Sequence, residues 1–168
     1  MDARESGRLD HLHFRESRRA MIYWDTSYLA KLYVREVGTE QVLQTFAHQG
    51  GFVCCEHGRL ELMTAFKRHQ RERLLSAAEL RVLWTRHEQD LANGLIRYLP
   101  LPSALIEHTC RTVFLLPSSV FLRTADALHL ACAADAGLKE IYSHDRHLLA
   151  AAPHFGLKGL DIISPQAK

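Results

Sequence analysis

The chain has 168 residues, 47% of them apolar and 24% charged, with 21 Lys and Arg against 19 Asp and Glu and a formal net charge of +2. That length and apolar content suit one packed domain, with or without a tail, and exclude disorder throughout. The near balance of charge excludes a binder that relies on a large uniform excess of base, so any nucleic-acid partner must be held by a local patch.

No apolar run approaches the roughly 20 residues that a membrane helix needs, and acids, arginines and histidines stand where a signal peptide would be apolar. A cytoplasmic protein with no membrane partner is expected. Residues 1–20 show no sustained period, and Met21 directly precedes the first convincing strand. They read as an extension, disordered or a start-site artefact, ahead of a domain over 21–168. The cysteines are Cys54, Cys55, Cys110 and Cys132, with no C-x-x-C spacing, so reduced thiols are expected rather than a zinc ribbon or a disulfide frame.

From Met21 the chain alternates short β-type runs with helical patterns. Residues 21–24 form a buried strand, and Asp25, Thr26 and Ser27 then offer side-chain caps to a helix carrying Leu29, Leu32 and Tyr33. A second short helix spans 39–48, and residues 52–55 form strand two. Residues 60–75 are helical. Ser76 and Glu79 make a capping box for a helix running to about Leu91, stopped by Asn93 and Gly94; the two long helices form an antiparallel pair. Residues 96–99 are a third strand, 103–114 a helix, and the alanine-rich stretch 123–136 another helix with its stop at Gly137. A strand at 140–143, a helix at 147–152 and a last strand at 160–163 complete the pattern, which argues for an α/β fold with a parallel sheet.

In open parallel sheets, functional groups collect beyond the carboxyl ends of strands, where helix N-termini converge. Asp25, Glu61, Asp126 and Asp145 occupy such places. Each taken singly is explained by helix capping or by the helix dipole. Asp126 is the sharpest case, because its helix neighbours are small or apolar and a covered carboxylate needs a partner. Arg123, three residues earlier, could be that partner. If the four acids converge instead, their mutual repulsion calls for protonation or a cation, and hard oxygen ligands favour Mg2+ or Mn2+. His129 shares the face of Asp126 and reads as a packed residue or a support for a ligand. A phosphatase using Asp25 as nucleophile would need a second Asp where Ser27 stands.

MIYWDTSYLAKLYV, RLELMTAF, RTADALHLACA and YSHDRHL resemble the acidic motifs of the PIN-domain ribonucleases, in particular the VapC-type toxins of toxin–antitoxin pairs, and the resemblance spans about residues 21–163. It implies a three-layer α/β/α fold with a central, mostly parallel sheet and a protruding helix pair. It also implies a magnesium-dependent endoribonuclease in which Asp25 and Asp126 are the principal metal ligands, with Glu61 and Asp145 completing the catalytic pocket. Products would carry 5′-phosphate and 3′-hydroxyl ends, with structured RNA such as tRNA as substrate, and a homodimer and a cognate antitoxin as partners. Thr26, Ser27 and Thr124 could support ligands or phosphate, or simply cap helices. Lys67, Arg68, Arg71 and Arg73 offer a basic face to RNA, or a solvated helix face interleaved with Glu72. The opposing reading is a catalytically silent module that binds RNA or protein.

Overall fold

The computed structural model describes residues 22–49 and 51–163, so the extension at 1–20 lies outside the described residues. Among these, strands β1 (Ile22–Trp24), β2 (Phe52–Cys55), β3 (Ile96–Leu99), β4 (Glu140–Tyr142) and β5 (Lys158–Leu160) form one sheet. The helices are α1 (Thr26–Lys31), α2 (Thr39–Gln49), α3 (His57–Arg71), α4 (Ala77–Ala92), α5 (Ser103–Phe114), α6 (Thr124–Asp135) and α7 (Arg146–Ala151), followed by a 3-10 turn at Ala152–Phe155. Strand order is β3-β2-β1-β4-β5 and every pairing is parallel, with Ile22 opposite Phe52 and Tyr23 opposite Ile141.

Strand side chains alternate between two cores, as the pleat requires. Tyr23, Val53, Cys55 and Ile141 pack with Leu130, Ala131, Ala133, Leu105 and Leu148 from α5, α6 and α7. Trp24, Phe52, Cys54 and Ile96 pack on the other face with Tyr28, Leu29, Val42, Leu62 and Phe66 from α1, α2 and α3. Helices thus cover both faces, which explains why the strands read as short continuous apolar runs. Trp24 stacks on Phe52 with ring centroids 4.5 Å apart.

The capping box at Ser76 forms as expected, with Ser76 Oγ accepting from Glu79 N and Glu79 accepting from Ser76 N. The Arg59 guanidinium near the start of α3 lies over the Trp84 ring in the middle of α4 and 3.9 Å from Glu88 in its second half, so the pair is antiparallel. Most of α4 stays exposed; His87 is its one buried residue, held by Tyr33 and Tyr98 hydroxyls.

The last strand differs from the expected 160–163. β5 pairs Glu140 with Lys158 and Tyr142 with Leu160, and the chain then turns away. Tyr28 Oη donates to Asp161 and accepts from Ile162 N, so Ile162 and Ile163 bury themselves as loop residues against the Trp24 core. Their apolarity reflects packing rather than strand pairing. α3 likewise begins at His57 and not at residue 60, because Gly58 lets its first turn lie close against Cys54 and Thr26.

Candidate active site

Successive connections run outward from β1 to β2 and β3, then return to place β4 on the other side of β1. The carboxyl ends of β1 and β4 therefore flank the topological switch point, where an open parallel sheet leaves a crevice. Asp25 leaves β1 and Ser143 leaves β4 at this point, and the Asp25 amide donates to the Tyr142 carbonyl as the last rung between the two strands.

Asp25 is buried. Its Oδ1 accepts from Ser27 Oγ at 2.6 Å and from the Tyr28 amide at 3.2 Å, and its Oδ2 accepts from Ser143 Oγ at 2.5 Å. Burial pushes its carboxyl above the ordinary carboxylate value, opposed by the nearby His129 and by those donors. Ser143, itself fully buried, also accepts from the Asp145 amide, so one hydroxyl ties the first acid to the loop carrying the fourth.

Glu61 sits at the end of a hydrogen-bond chain. The Cys55 amide donates to Tyr23 Oη at 2.9 Å, and Tyr23 Oη lies 2.8 Å from His129 Nδ1. His129 Nε2 in turn lies 2.8 Å from Glu61 Oε2, which also accepts from Thr26 Oγ1 at 2.6 Å. Burial opposes charge on Glu61, but the His129 and Thr26 bonds outweigh it and lower its carboxyl to about 2.

Asp126 and Asp145 share one cation. Arg123 Nε donates to Asp126 Oδ2 at 2.9 Å, and its terminal nitrogen pairs with Asp145 Oδ2. Asp145 Oδ1 also caps α7 through the His147 and Leu148 amides. Burial opposes charge on Asp145, and those amides together with Arg123 overcome it, holding the carboxyl below its ordinary value.

All four acids line one cleft of about 580 Å³, together with Thr26, Ser27, Arg68, Arg71, Arg123 and His129. Of the basic residues expected along α3, Arg68 and Arg71 reach this wall, whereas Lys67 is exposed and bonded to Gln70, and Arg73 lies beyond the helix at positive φ. Thr124 is not part of the cleft. It lines a separate apolar groove with Val113, Phe114 and Leu128, because the first turn of α6 points it away from Asp126.

The PIN domain family matches residues 22–153. The chain belongs to the PIN-domain family. Among curated proteins none matches it. PIN domains are generally nucleases, act on nucleic acid and typically use a divalent metal ion. The donors present fit such an ion: four carboxylates border the cleft, and the buried Asp25 has hydroxyl and amide donors but no Lys or Arg among the described residues. A divalent ion would supply the positive charge that this buried carboxylate lacks. No described helix is long and apolar enough to cross a membrane.

Ser143, Tyr23 and His57 were not singled out as site residues from the sequence of this PIN domain. Ser143 appears there only as a strand end, and Tyr23 only within the buried strand 21–24. The one available signal was His129, whose spacing from Asp126 already put it on the same helix face.

The Glu61 pairing has a pH signature. Its folded value lies below the ordinary 4.5, so its stabilisation is fully present above that value and is lost as pH falls toward about 2. Glu61→Gln, whose amide does not titrate, is expected to be less stable than the wild type at about pH 6, with the gap in urea midpoints narrowing below about pH 4.5 and closing only below about pH 2. A gap that does not change with pH would refute the pairing.

Proposed function

We propose that this PIN domain is a magnesium-dependent endoribonuclease, the toxin of a toxin–antitoxin pair, that hydrolyses RNA phosphodiester bonds. The observation that carries the reading is the gathering of Asp25, Glu61, Asp126 and Asp145 around one cleft walled by Arg68 and Arg71. Carboxylates alone would repel an RNA backbone, and a basic wall beside them supplies the phosphate attraction that the small net charge does not.

In this reading Asp25 and Asp126 hold the ion, with Glu61 and Asp145 completing its surroundings. When bound, Mg2+ supplies Lewis-acid polarisation of the phosphate and lowers the pKa of an attacking water. Ser27 and Ser143 hold the Asp25 carboxylate in one orientation, and Thr26 and His129 do the same for Glu61. Arg68 and Arg71 bind flanking phosphates. Mn2+ could replace Mg2+ on the same hard oxygens. Structured RNA such as tRNA, a homodimer, a cognate antitoxin and a cytoplasmic setting follow from the resemblance of the four motifs to VapC-type toxins.

Incubation of purified protein with total RNA, with Mg2+ and with a chelator, tests the reading. Cleavage that needs Mg2+ and leaves 5′-phosphate ends is the expected result; no cleavage, or cleavage that persists in chelator, contradicts it. One observation favours the catalytically silent alternative: Arg123 already spans Asp126 and Asp145, a cation that a metal-free binding module would keep. Such a module would bind RNA without cutting it in Mg2+.

A further inference from the structure

We propose that His57, Glu61 and His129 form a binding site for a borderline divalent transition ion, of which Zn2+ is the type case. His57 and Glu61 are one helical turn apart on α3, and α6 brings His129 against them. The three donor atoms all lie within 4.8 Å of one another. Glu61 Oε2 is 2.8 Å from His129 Nε2 and 3.5 Å from His57 Nε2, and the two imidazole centroids are 4.3 Å apart. Around a tetrahedral ion with bonds of about 2.0–2.2 Å, neighbouring donors sit about 3.3–3.5 Å apart, so small side-chain shifts suffice.

A second observation points to a ligand. Both ring nitrogens of His57 are shut off from solvent and neither makes a well-formed hydrogen bond; the polar groups around them are Glu61 Oε2 at 3.5 Å, the Cys55 thiol and the Ala125 backbone. An imidazole shut off from solvent without a well-formed hydrogen bond is costly, and a metal ion would satisfy its lone pair. The set of two imidazoles and one carboxylate also differs in chemistry from the surrounding carboxylates. Nitrogen donors select zinc and its neighbours over Mg2+, and a set of two His and one Glu leaves a fourth position open.

Tyr23 completes the arrangement. A metal-ligating histidine is normally held through its other nitrogen, and Tyr23 Oη sits 2.8 Å from His129 Nδ1. Ion binding at Nε2 requires the single ring proton of His129 to reside on Nδ1 and donate to Tyr23 Oη. The hydrogen bond between Nε2 and Glu61 is exchanged for a shared ion.

The site adjoins the carboxylate cleft through Glu61, but its test reads binding and not RNA cleavage, so it stands or falls apart from the nuclease reading. The full chain is titrated with Co2+ while visible absorption is recorded, and Zn2+ competition is followed by calorimetry. Wild type and Asp126→Asn are both expected to develop the intense bands of a low-coordinate cobalt site and to release Co2+ to Zn2+. His57→Gln is expected to weaken Zn2+ binding by at least about tenfold. Binding unaffected by His57→Gln, or abolished by Asp126→Asn, would overturn the proposal. A thermal midpoint in chelator shows whether His57→Gln is folded. Nitrogen-15 imidazole spectra of the wild type give a readout free of mutation. Zn2+ should shift the Nε2 signals of His57 and His129, and shifts confined to other histidines reject the site.

Discussion

Asp126→Asn is expected to lower RNA cleavage by at least on the order of 10²-fold, the scale on which one preorganised group that stabilises developing charge acts. The fold should survive. Asn is the same size, its carbonyl can still accept from Arg123 Nε, and Arg123 keeps Asp145 as a charged partner. The substitution leaves the side chain's shape nearly unchanged and removes one carboxylate from the cleft, so activity and stability separate. Cleavage rates at saturating Mg2+ and urea midpoints measured together decide the matter. Wild-type cleavage in a folded Asp126→Asn protein would remove Asp126 from the site, whereas a collapse in stability would assign it a structural role instead.

Gly58→Ala is expected to harm both fold and activity. A Cβ at this position would sit 2.6 Å from Cys54 Sγ, 3.0 Å from Thr26 Oγ1 and 3.5 Å from His129 Cε1. Cys54 is fully buried in the core beneath α1 and α3, and its short side chain offers no flexible end to give way. Overpacking of this kind costs about 1–3 kcal/mol. Relief by moving Thr26 would break its 2.6 Å bond to Glu61, so one methyl group disturbs an acid three residues further along the same helix. Adding Cys54→Ala to Gly58→Ala removes the obstructing sulfur and is expected to recover much of the stability. A double variant no more stable than Gly58→Ala would show that the clash lies elsewhere.

Much of this molecule is legible before folding is considered. The strand at 52–55, the helix at 103–114 and the capping box at Ser76 are local events, set by short-range periodicity and by side-chain to backbone hydrogen bonds a few residues apart. Asp25, Glu61, Asp126 and Asp145 are legible for a related reason. Asp25, Asp126 and Asp145 stand where a strand ends or a helix starts and Glu61 stands one turn into α3, and the α/β alternation sends those points to one edge of the sheet.

What the alternation does not carry is direction within the edge. Arg68 and Thr124 look equally promising by position, yet one faces the cleft and the other an apolar groove, because each depends on the rotation of its helix against the sheet. Ile162 and Ile163 have strand-like apolarity, but their burial is satisfied by Tyr28 and the Trp24 core without pairing. Ser143 and Tyr23 carry no local sign of their roles, since their partners lie 118 and 106 residues away in the chain.

By itself the amino-acid sequence determined the fold class, the succession of elements and the four carboxylates, all of which follow from periodicity and from the nearest few neighbours. Only the tertiary structure decided what those carboxylates meet: hydroxyls around Asp25, Arg123 between Asp126 and Asp145, and a buried Tyr23–His129 chain behind Glu61. The physical reason is that a hydrogen bond or ion pair is specified to a few tenths of an ångström, and that precision arises only when separate helices are packed against one sheet.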